Sequence, residues 1–253
     1  EEASALFKSL QPNGVITADD DAVAMFILPY LKDKTATPVM FNGVNAAAEK
    51  YGFPNAHVSG VLERAHVRES LAFIKQILPS VRKACFMTAD VPPGRALRSQ
   101  VDAEKATYPI STSDFYLIRD NQQLEGLGKS LNANCDLLFV DSLEGILDRN
   151  GKTQTNKDVF PLIQRIFNKP ILGANRYQVE QGALAAVVKT GQEQGERSAE
   201  MLLQAMRGKS VSSLPVTQNS RGQRVINVSA LERMGIMPQP SVLRGAALVR
   251  QQP

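Results

Sequence analysis

Tryptophan is absent from the 253-residue sequence, and histidine and cysteine occur only twice each. Zinc sites need several such ligands at close spacing, and neither cysteine has a histidine at that distance. No apolar run is long enough to span a bilayer as a helix. The opening residues EEASALFKSL contain no signal-peptide pattern, which a mature secreted protein would also lack. We therefore expect no metal site, and these absences do not decide the compartment.

A strong charge of one sign is also missing. The net charge is only +4, and the basic residues are scattered along the chain. Nucleic-acid binding needs a concentrated stripe of lysine and arginine that releases counterions from phosphates, so we expect no nucleic-acid partner. Cys85 lies inside an apolar run and Cys135 adjoins another, which predicts two buried or half-buried thiols rather than a disulfide.

The motifs of common enzymes are missing as well. No GxGxxG or GxxxxGKS/T phosphate loop occurs. His57 lies in a predicted turn and His66 at a predicted helix start, and neither adjoins a serine or cysteine in the setting of a nucleophile. The acidic stretches TADDDAVA and FMTAD suggest the pocket of a phosphoacceptor receiver domain, but no lysine completes that set. We expect neither enzymatic activity nor a cofactor.

Short apolar runs alternate with amphipathic helices along most of the chain. Strands are predicted within GVIT, PVMFN, KACFMTA, DFYLI, CDLLFV, PILG and ALAAVV. Helical spacing predicts helices over residues 22–31, 67–78, 95–107, 124–131 and 195–208, with a Pro-Pro-Gly turn before the third. This alternation is typical of parallel strands buried on both faces and predicts a doubly wound α/β fold. A TIM barrel needs eight such units, and the chain supplies about six or seven.

Polar turns follow five of the predicted strands. In open parallel sheets, ligands bind at the carboxyl ends of the strands, where helix N-termini offer free N–H groups. Such turns suit a small polar or zwitterionic ligand, whose ammonium needs carboxylates and whose carboxylate needs arginine or backbone amides. The candidate ligand-binding residues are Thr17, Ala18, Asp19, Asn42, Gly43, Asn45, Thr88, Asp90, Asp141, Ser142, Asn175, Arg176 and Tyr177.

Some of the acidic and hydroxyl residues have a purely structural alternative. Asp19, Asp20 and Asp21 precede a predicted helix, and N-capping alone explains one or two of them. We favour the cap for Asp21. Asp90 and Ser142 are likewise either ligand contacts or helix N-caps.

The larger side chains of the set also have alternatives. Arg176 is either a ligand contact or a surface cation, and Tyr177 either contacts ligand or packs against its own helix. Phe41, Phe53 and Tyr177 are candidates for a wall that stacks on an aromatic ligand, and equally for the core.

Several stretches together carry a family resemblance: PVMFNGVN followed by EKYGFPNAHVSGVLER, ESLAFIKQILPSVRKACFM, KPILGANRYQVEQGALAAV, GERSAEMLLQAMRGKSVSSLPV, and the closing VINVSALERMGI. On these stretches the sequence resembles ABC-transporter substrate-binding proteins with the periplasmic-binding-protein type I fold, and the resemblance covers nearly the whole chain. The resemblance is to the branch that includes tryptophan- and tyrosine-binding members.

The resemblance implies two doubly wound Rossmann-like lobes, joined by three crossover strands, that close on a ligand by hinge motion. The first lobe is then expected to be residues 1–60 with 186–214, and the second residues 61–185 with 215–253. The crossings would fall near residues 59–61, 184–188 and 214–216. Family members begin with a further strand, helix and strand, a difference of about 50 residues. We therefore expect the first lobe to lack this opening unit, and the binding site to be incomplete.

The resemblance also implies a function and a location. It favours the solute-binding component of an ABC importer, which binds a small polar ligand in the interlobe cleft and delivers it to a membrane permease. An amino acid, aromatic by family membership, is the favoured ligand. The protein would be periplasmic or extracytoplasmic, and a monomer when full length. An alternative for the full-length precursor is attachment to the membrane by a lipid anchor. The other function left open is an extracytoplasmic ligand-sensing module of a signalling or regulatory system.

Overall fold

The computed structural model describes residues 1–250 and divides the chain into two compact units. The first unit is Glu1–Arg64 with Thr190–Arg221, and the second is Ala65–Lys189 with the chain from Gly222 onward. The chain thus passes between the units three times, after Arg64, Lys189 and Arg221. The predicted lobes, with boundaries a few residues away from these, stay a prediction.

Strands and helices alternate in the order that the apolar runs predict. The strands are β1 (Val15–Ala18), β2 (Val39–Val44), β3 (Val58–Leu62), β4 (Lys83–Ala89), β5 (Ser111–Ile118), β6 (Leu137–Val140), β7 (Ile171–Gly173), β8 (Ala185–Val188), β9 (Thr217–Gln218), β10 (Gln223–Asn227) and β11 (Ala247–Val249). The α-helices are α1 (Glu2–Leu10), α2 (Asp19–Ala22), α3 (Ala48–Tyr51), α4 (Val67–Ile77), α5 (Pro92–Glu104), α6 (Asn121–Gly126), α7 (Gly128–Asn134), α8 (Asn156–Ile166), α9 (Arg176–Glu180), α10 (Gly191–Met206), α11 (Val228–Arg233) and α12 (Pro240–Leu243). A π-helical segment, Val23–Leu31, continues α2.

The first unit contains a parallel sheet in the order β1-β2-β3-β9. Its core has two parts. One includes Phe41 of β2 with Val23 and Ile27 of the π-helical segment, and the other includes Met40 of β2 with Met201 of α10. Neighbouring residues of one strand therefore enter different core clusters, as the side-chain alternation of a doubly wound sheet requires.

The second unit contains a seven-stranded sheet in the order β11-β10-β8-β7-β6-β4-β5. All neighbours pair in parallel except β10 with β8, which are antiparallel. The alternating residues Phe86 and Met87 of β4 enter separate core clusters, as expected for a strand covered on both faces. The carboxyl ends of β7, β6, β4 and β5 consequently lie in that order along one edge.

Two helix predictions need correction. The Pro-Pro-Gly stretch forms the first turn of α5 rather than a turn ahead of it. Proline suits this position because it lacks only an N–H group that has no partner inside the helix. The helix predicted over residues 124–131 is two short helices, α6 and α7, that meet at Leu127. The helix predicted over residues 67–78 agrees with α4, which is followed by Leu78 and Pro79.

The prediction of two free thiols is wrong, because Cys85 and Cys135 form a disulfide. Cys85 lies on β4, and Cys135 follows α7 two residues before β6 begins. Because β4 and β6 are neighbours, the two Cα atoms come within 5.7 Å of each other despite 50 residues of intervening separation. Apolar surroundings, which suggested inert thiols, are equally the surroundings of a buried disulfide. Across residues 1–250, no helix combines the length and apolar character needed to cross a membrane.

Candidate functional site

The strand ends of the second unit bring together Asp141, Asn175 and Tyr177. Asp141 directly follows β6, and Asn175 precedes α9 after β7. Nδ2 of Asn175 donates a hydrogen bond to Oδ1 of Asp141 at 2.9 Å and lies 3.4 Å from the Tyr177 hydroxyl. The backbone N–H of Asn175 donates to Oε1 of Gln178 at 2.9 Å, as in a capping box. Asn175 is thereby fixed, and it fixes the carboxylate beside it.

Tyr177 is neutral in this cluster over the whole physiological pH range. Burial, followed by the negative charge of Asp141, raises the pKa of its phenol to about 12. A neutral phenol next to an ionised carboxylate presents both a donor and an acceptor. The cluster of Asp141, Asn175 and Tyr177, hereafter the Asp141 cluster, therefore offers the groups that bind an ammonium group.

Thr88 and Ser142 join β4 to the loop that follows β6. The buried hydroxyl of Thr88 donates to the backbone carbonyl of Ser142 at 3.0 Å. The hydroxyl of Ser142 accepts from the backbone N–H of Glu144 and from Nδ2 of Asn156, each at 3.3 Å. Ser142 thus stabilises a turn rather than capping a helix, and both residues hold the loop next to Asp141.

Asp90 accepts hydrogen bonds from two arginines. Its oxygens lie 2.8 Å from Nε of Arg95 and 2.7 Å from Nε of Arg119. These two hydrogen bonds, that of Arg95 first, lower the pKa of the Asp90 carboxyl. The alternative of a helix cap is wrong, because Val91 occupies the N-cap position of α5 and no side chain caps that helix.

Arg176 has the contacts of a surface cation. Its Nε donates to Oε1 of Glu180, four residues later on α9, at 2.8 Å, and both side chains are about half exposed. Exposed pairs of this kind contribute little to stability. The direct role of Arg176 in ligand binding stays a prediction.

The strand ends of the first unit form a second polar cluster. Nδ2 of Asn42 donates to Oγ of Ser198 at 3.1 Å, and the backbone N–H of Gly43 donates to Oε1 of Gln194 at 2.8 Å. Both partners lie on α10. Gln194 in turn donates to Oε2 of Glu63 at 2.8 Å. Asn42 and Gly43 therefore attach the end of β2 to α10.

Asp20 holds the loop between β2 and α3. Its carboxylate accepts from the backbone N–H groups of Asn45 at 2.8 Å and Ala46 at 3.1 Å, and from the Tyr51 hydroxyl at 3.4 Å. The Asn45 side chain also donates to it at 3.3 Å. Asp20 is thus part of the scaffold. The preferred cap role of Asp21 is wrong, because Asp21 lies inside α2 and Ala18 occupies the N-cap position.

Asp19 differs from its neighbours in conformation and environment. Its φ of 72° lies in the left-handed region, which is unfavourable for a residue with a Cβ. Partial burial and the nearby carboxylates of Glu63, Asp20 and Asp21 raise the pKa of its carboxyl. Close by, Gly43 has a φ of 69°, and a Cβ there would meet Oδ1 of Asp19 at 2.9 Å. The chain thus keeps Asp19 in a strained, electrostatically unfavourable position.

Two further predicted residues, Thr17 and Ala18, directly precede Asp19 in sequence. Thr17 is buried, and its hydroxyl has no hydrogen-bond partner among residues 1–250. Ala18 is exposed and offers no polar side chain. Of the two phenylalanines considered for a stacking wall, Phe41 and Phe53 stack on each other in the core of the first unit, with ring centroids 5.3 Å apart. They are core residues.

Sequence reasoning missed several residues that shape these sites. Arg119 directly follows β5, so the strand-end criterion that selected Asp141 also applies to it. Gln194 and Asn156 lie on or at the start of helices, and their partners are distant in sequence, so no local pattern identifies them. Over the described part of the chain, no three histidine, cysteine or acidic residues are placed to hold a metal ion.

Solved structures share this fold across nearly the whole chain. The ABC domain in complex with L-Trp from Streptococcus pneumonia aligns with 98% of this chain and 82% of its own, at a TM-score of 0.67 and 20% identity. A ligand-free, open substrate-binding protein with adhesive properties from Clostridium difficile aligns with 99% and 82%, at a TM-score of 0.74 and 17% identity. At this level of sequence identity, the structural similarity is evidence for the fold alone. It confirms the predicted α/β fold of the periplasmic-binding-protein type I kind.

Sequence comparison points to the same class of protein. A family model described as ABC transporter substrate binding protein matches residues 158–250 and confirms the resemblance there. A tyrosine-binding protein of Clostridioides difficile (strain R20291) is 23% identical over 187 residues, which is 72% of this chain. The alignment covers 50% of the length of that relative. The matched family, this relative and the Clostridium difficile structure are described as binding proteins, in agreement with the expectation of no catalysis.

Proposed function

We propose that this chain is the ligand-binding part of an ABC-transporter substrate-binding protein for an amino acid with an aromatic side chain. The observation that carries the proposal is the Asp141 cluster. An ionised carboxylate, held by an amide and flanked by a neutral phenol, meets the needs of an α-ammonium group. The tyrosine-binding relative and the tryptophan complex of the structural neighbour support the choice of an aromatic side chain.

The ammonium group would bind at Asp141 because its charge and donors complement that carboxylate. Asn175 already donates to Oδ1 of Asp141 at 2.9 Å, which leaves Oδ2 without a described partner. An ammonium group can therefore donate to Oδ2 without breaking the existing hydrogen bond to Oδ1. Asn175 acts as the positioning residue in this arrangement.

Asp19 is the candidate contribution of the first unit. Strained backbone and destabilised charge are retained at functional positions more often than elsewhere. An incoming cationic group would relieve the repulsion between Asp19 and the carboxylates of Glu63, Asp20 and Asp21. Hinge closure of the units on the ligand, delivery to a permease and import belong to the same proposal.

The disulfide supports an extracytoplasmic location for this function. Structural disulfides persist in oxidising compartments and are rare in the cytosol, where thiols are kept reduced. Cys85 and Cys135 are both buried in the core of the second unit. We therefore place the protein outside the cytoplasm, as an ABC importer requires of its binding component. Lipid anchoring stays a prediction.

The absence of tryptophan allows a direct test of this function. In a mixture with L-tryptophan, emission excited at the red edge of the indole band comes only from the ligand. Binding is expected to shift and polarise that emission, and unlabelled L-tyrosine should compete. If neither amino acid binds and a panel of other amino acids gives no thermal stabilisation, the proposed function is wrong.

A matched pair of variants tests the role of Asp141. Asp141→Asn keeps the shape of the side chain but removes its charge, and should raise the dissociation constant by about 100-fold. Asp148→Asn is the control, because Asp148 only accepts backbone hydrogen bonds from Asn150 and Lys152 in a loop. Unchanged affinity in Asp141→Asn would exclude the Asp141 cluster as the ammonium site.

A further inference from the structure

Two arginines share a single carboxylate at the carboxyl ends of β4 and β5. Nε of Arg95 and Nε of Arg119 donate to opposite oxygens of Asp90, at 2.8 and 2.7 Å. The Asp90 side chain is 7% exposed, whereas the arginine side chains are 64% and 76% exposed. Asp90 thus anchors two guanidinium groups that remain open to solvent.

The arginine pair retains positive charge and hydrogen-bond donors. One ionised carboxylate between two guanidinium groups leaves a local charge of one positive unit. Each guanidinium uses Nε for Asp90, so its two terminal nitrogens remain, with four N–H bonds. The described contacts of residues 1–250 give these terminal nitrogens no acceptor. A second arginine is unnecessary for neutralising Asp90, because the first already does so.

The pair lies on the same edge of the sheet as the Asp141 cluster. Asp141 follows β6 and Arg119 follows β5, and β4 lies between these strands. Two strand spacings separate them, which corresponds to about 10 Å. The α-carboxylate of an amino acid is bonded to the same carbon as its ammonium, so it cannot span this separation.

We propose that Arg95 and Arg119 bind a second carboxylate of the ligand, at the end of the molecule remote from the ammonium group bound at Asp141. This inference rests on the proposed function and narrows its substrate class to aromatic amino acids that carry a distal carboxylate. A carboxylate fits because guanidinium groups bind it through paired hydrogen bonds, and because its single charge matches the residual charge of the pair. Asp90 is a positioning residue that orients both arginines.

Two aromatic amino acids that differ only in a distal group test the inference. 4-Carboxy-L-phenylalanine carries a ring carboxylate, and L-phenylalanine lacks it. By calorimetric titration, the wild-type protein should bind the carboxylated ligand at least about tenfold more tightly, because hydrogen bonds to a charged group contribute enough free energy for that difference. Equal affinity for the two ligands would overturn the proposal.

Variants of the pair separate its role from general charge. The double variant Arg95→Gln/Arg119→Gln should lose the preference while its affinity for L-phenylalanine stays within about twofold. The control Arg149→Gln removes an exposed arginine that pairs with Glu125 and should keep the preference. A preference that survives in the double variant would contradict the proposal.

The variant Asp90→Asn distinguishes an oriented pair from a simple positive patch. It adds net positive charge but removes the anchor, so we expect the preference for the carboxylated ligand to fall. An increased preference would show that charge alone acts and would overturn the role of Asp90. Its affinity for L-phenylalanine serves as the internal control for folding.

Failure of the proposed function can be told apart from failure of this inference. If the wild-type protein binds neither 4-carboxy-L-phenylalanine nor L-phenylalanine, the pair is tested alone with malonate, and the proposed function is wrong only if L-tryptophan, L-tyrosine and the amino-acid panel fail as well. The Nε–Hε resonances of Arg95 and Arg119 should then shift saturably in NMR spectra, and that of Arg149 should not. The absence of such shifts would overturn the carboxylate site itself.

Discussion

The strand ends of the two units use similar side chains for different purposes. In the first unit, Asp20 accepts two backbone N–H groups and a tyrosine hydroxyl, and Asn42 and Gly43 are attached to α10. In the second unit, Asn175 holds Asp141 in place, and Asp90 holds two exposed arginines. Asp20 thus stabilises the loops of the first unit, whereas Asp141 and Asp90 place charged groups at the sheet edge of the second unit.

This difference separates residues whose side chains stabilise a strand end from residues whose side chains remain available to a ligand. An aspartate whose oxygens already accept backbone donors has little capacity left for a ligand. Asp141 keeps one oxygen without a described partner, and Asp19 carries strain and a raised pKa while its side chain makes no hydrogen bond within the described residues. These two residues are the exceptions that a scaffold role does not explain.

The largest expected effect is on the disulfide, which cross-links only the second unit. The variant Cys85→Ala/Cys135→Ala opens a loop of 50 residues and should cost about 4 kcal/mol by the loss of chain restraint. Hydrogen exchange should then accelerate in β4 and β6 while β1, β2 and β3 keep their protection. If both units lost protection equally, the claim that the disulfide stabilises only the second unit would be contradicted.

A smaller effect is expected at Glu193, which stabilises the first unit. This buried carboxylate accepts from the backbone N–H of Ser220 at 2.7 Å and of Arg221 at 3.0 Å. In Glu193→Gln the amide oxygen can replace Oε1, but an amide nitrogen would replace Oε2, which also accepts from Arg221, and the charge is lost. The unfolding free energy should therefore fall by about 2 kcal/mol. Glu196→Gln, on an exposed neighbouring position of α10, is the control.

The pH dependence of that effect follows from the pKa of Glu193. Burial raises this pKa, but the backbone hydrogen bonds from Ser220 and Arg221 outweigh burial and lower it. A depressed carboxyl pKa contributes stability above the unfolded value of about 4.3 and loses it as the pH falls through the folded value. The difference between wild type and Glu193→Gln should therefore shrink in acid, and a constant difference would exclude a role for the charge.

The smallest effect is expected at Asp19, where stability and function should move in opposite directions. Glycine adopts left-handed φ values without strain, so Asp19→Gly should stabilise the first unit by about 0.5 to 1 kcal/mol while weakening ligand binding. Asp33→Gly is the matched control, because Asp33 also has a positive φ, 58°, but lies away from the strand ends. It should leave affinity unchanged. A stabilised Asp19→Gly with full affinity would remove Asp19 from the binding site.

The fold was predictable because it depends on local periodicity. The helical spacing of ESLAFIKQIL and the apolar run KACFMTA give α4 and β4 within a residue or so of their bounds. The strand-end criterion also selects Asp141 and Asn175, which the structure brings to 2.9 Å. Positions in sequence were sufficient here because parallel strands place their ends at one edge.

The contacts that the sequence did not predict join residues that are distant along the chain. The disulfide joins residues 50 apart, and Asp90 meets Arg119 across 29 residues. Asp21 resembles a cap in sequence, but Ala18 takes that position because the helix begins earlier, at Asp19. Such pairings follow from strand order and helix register, and neither can be read from composition or spacing alone.

The contrast between Asp20 and Asp141 tests the central claim most directly. L-tryptophan binding and unfolding free energy are measured for Asp20→Asn and Asp141→Asn. We predict that Asp141→Asn raises the dissociation constant by about 100-fold with little change in stability, whereas Asp20→Asn lowers stability and leaves the affinity of the folded protein intact. The reverse result, an affinity lost in Asp20→Asn and kept in Asp141→Asn, would contradict the account.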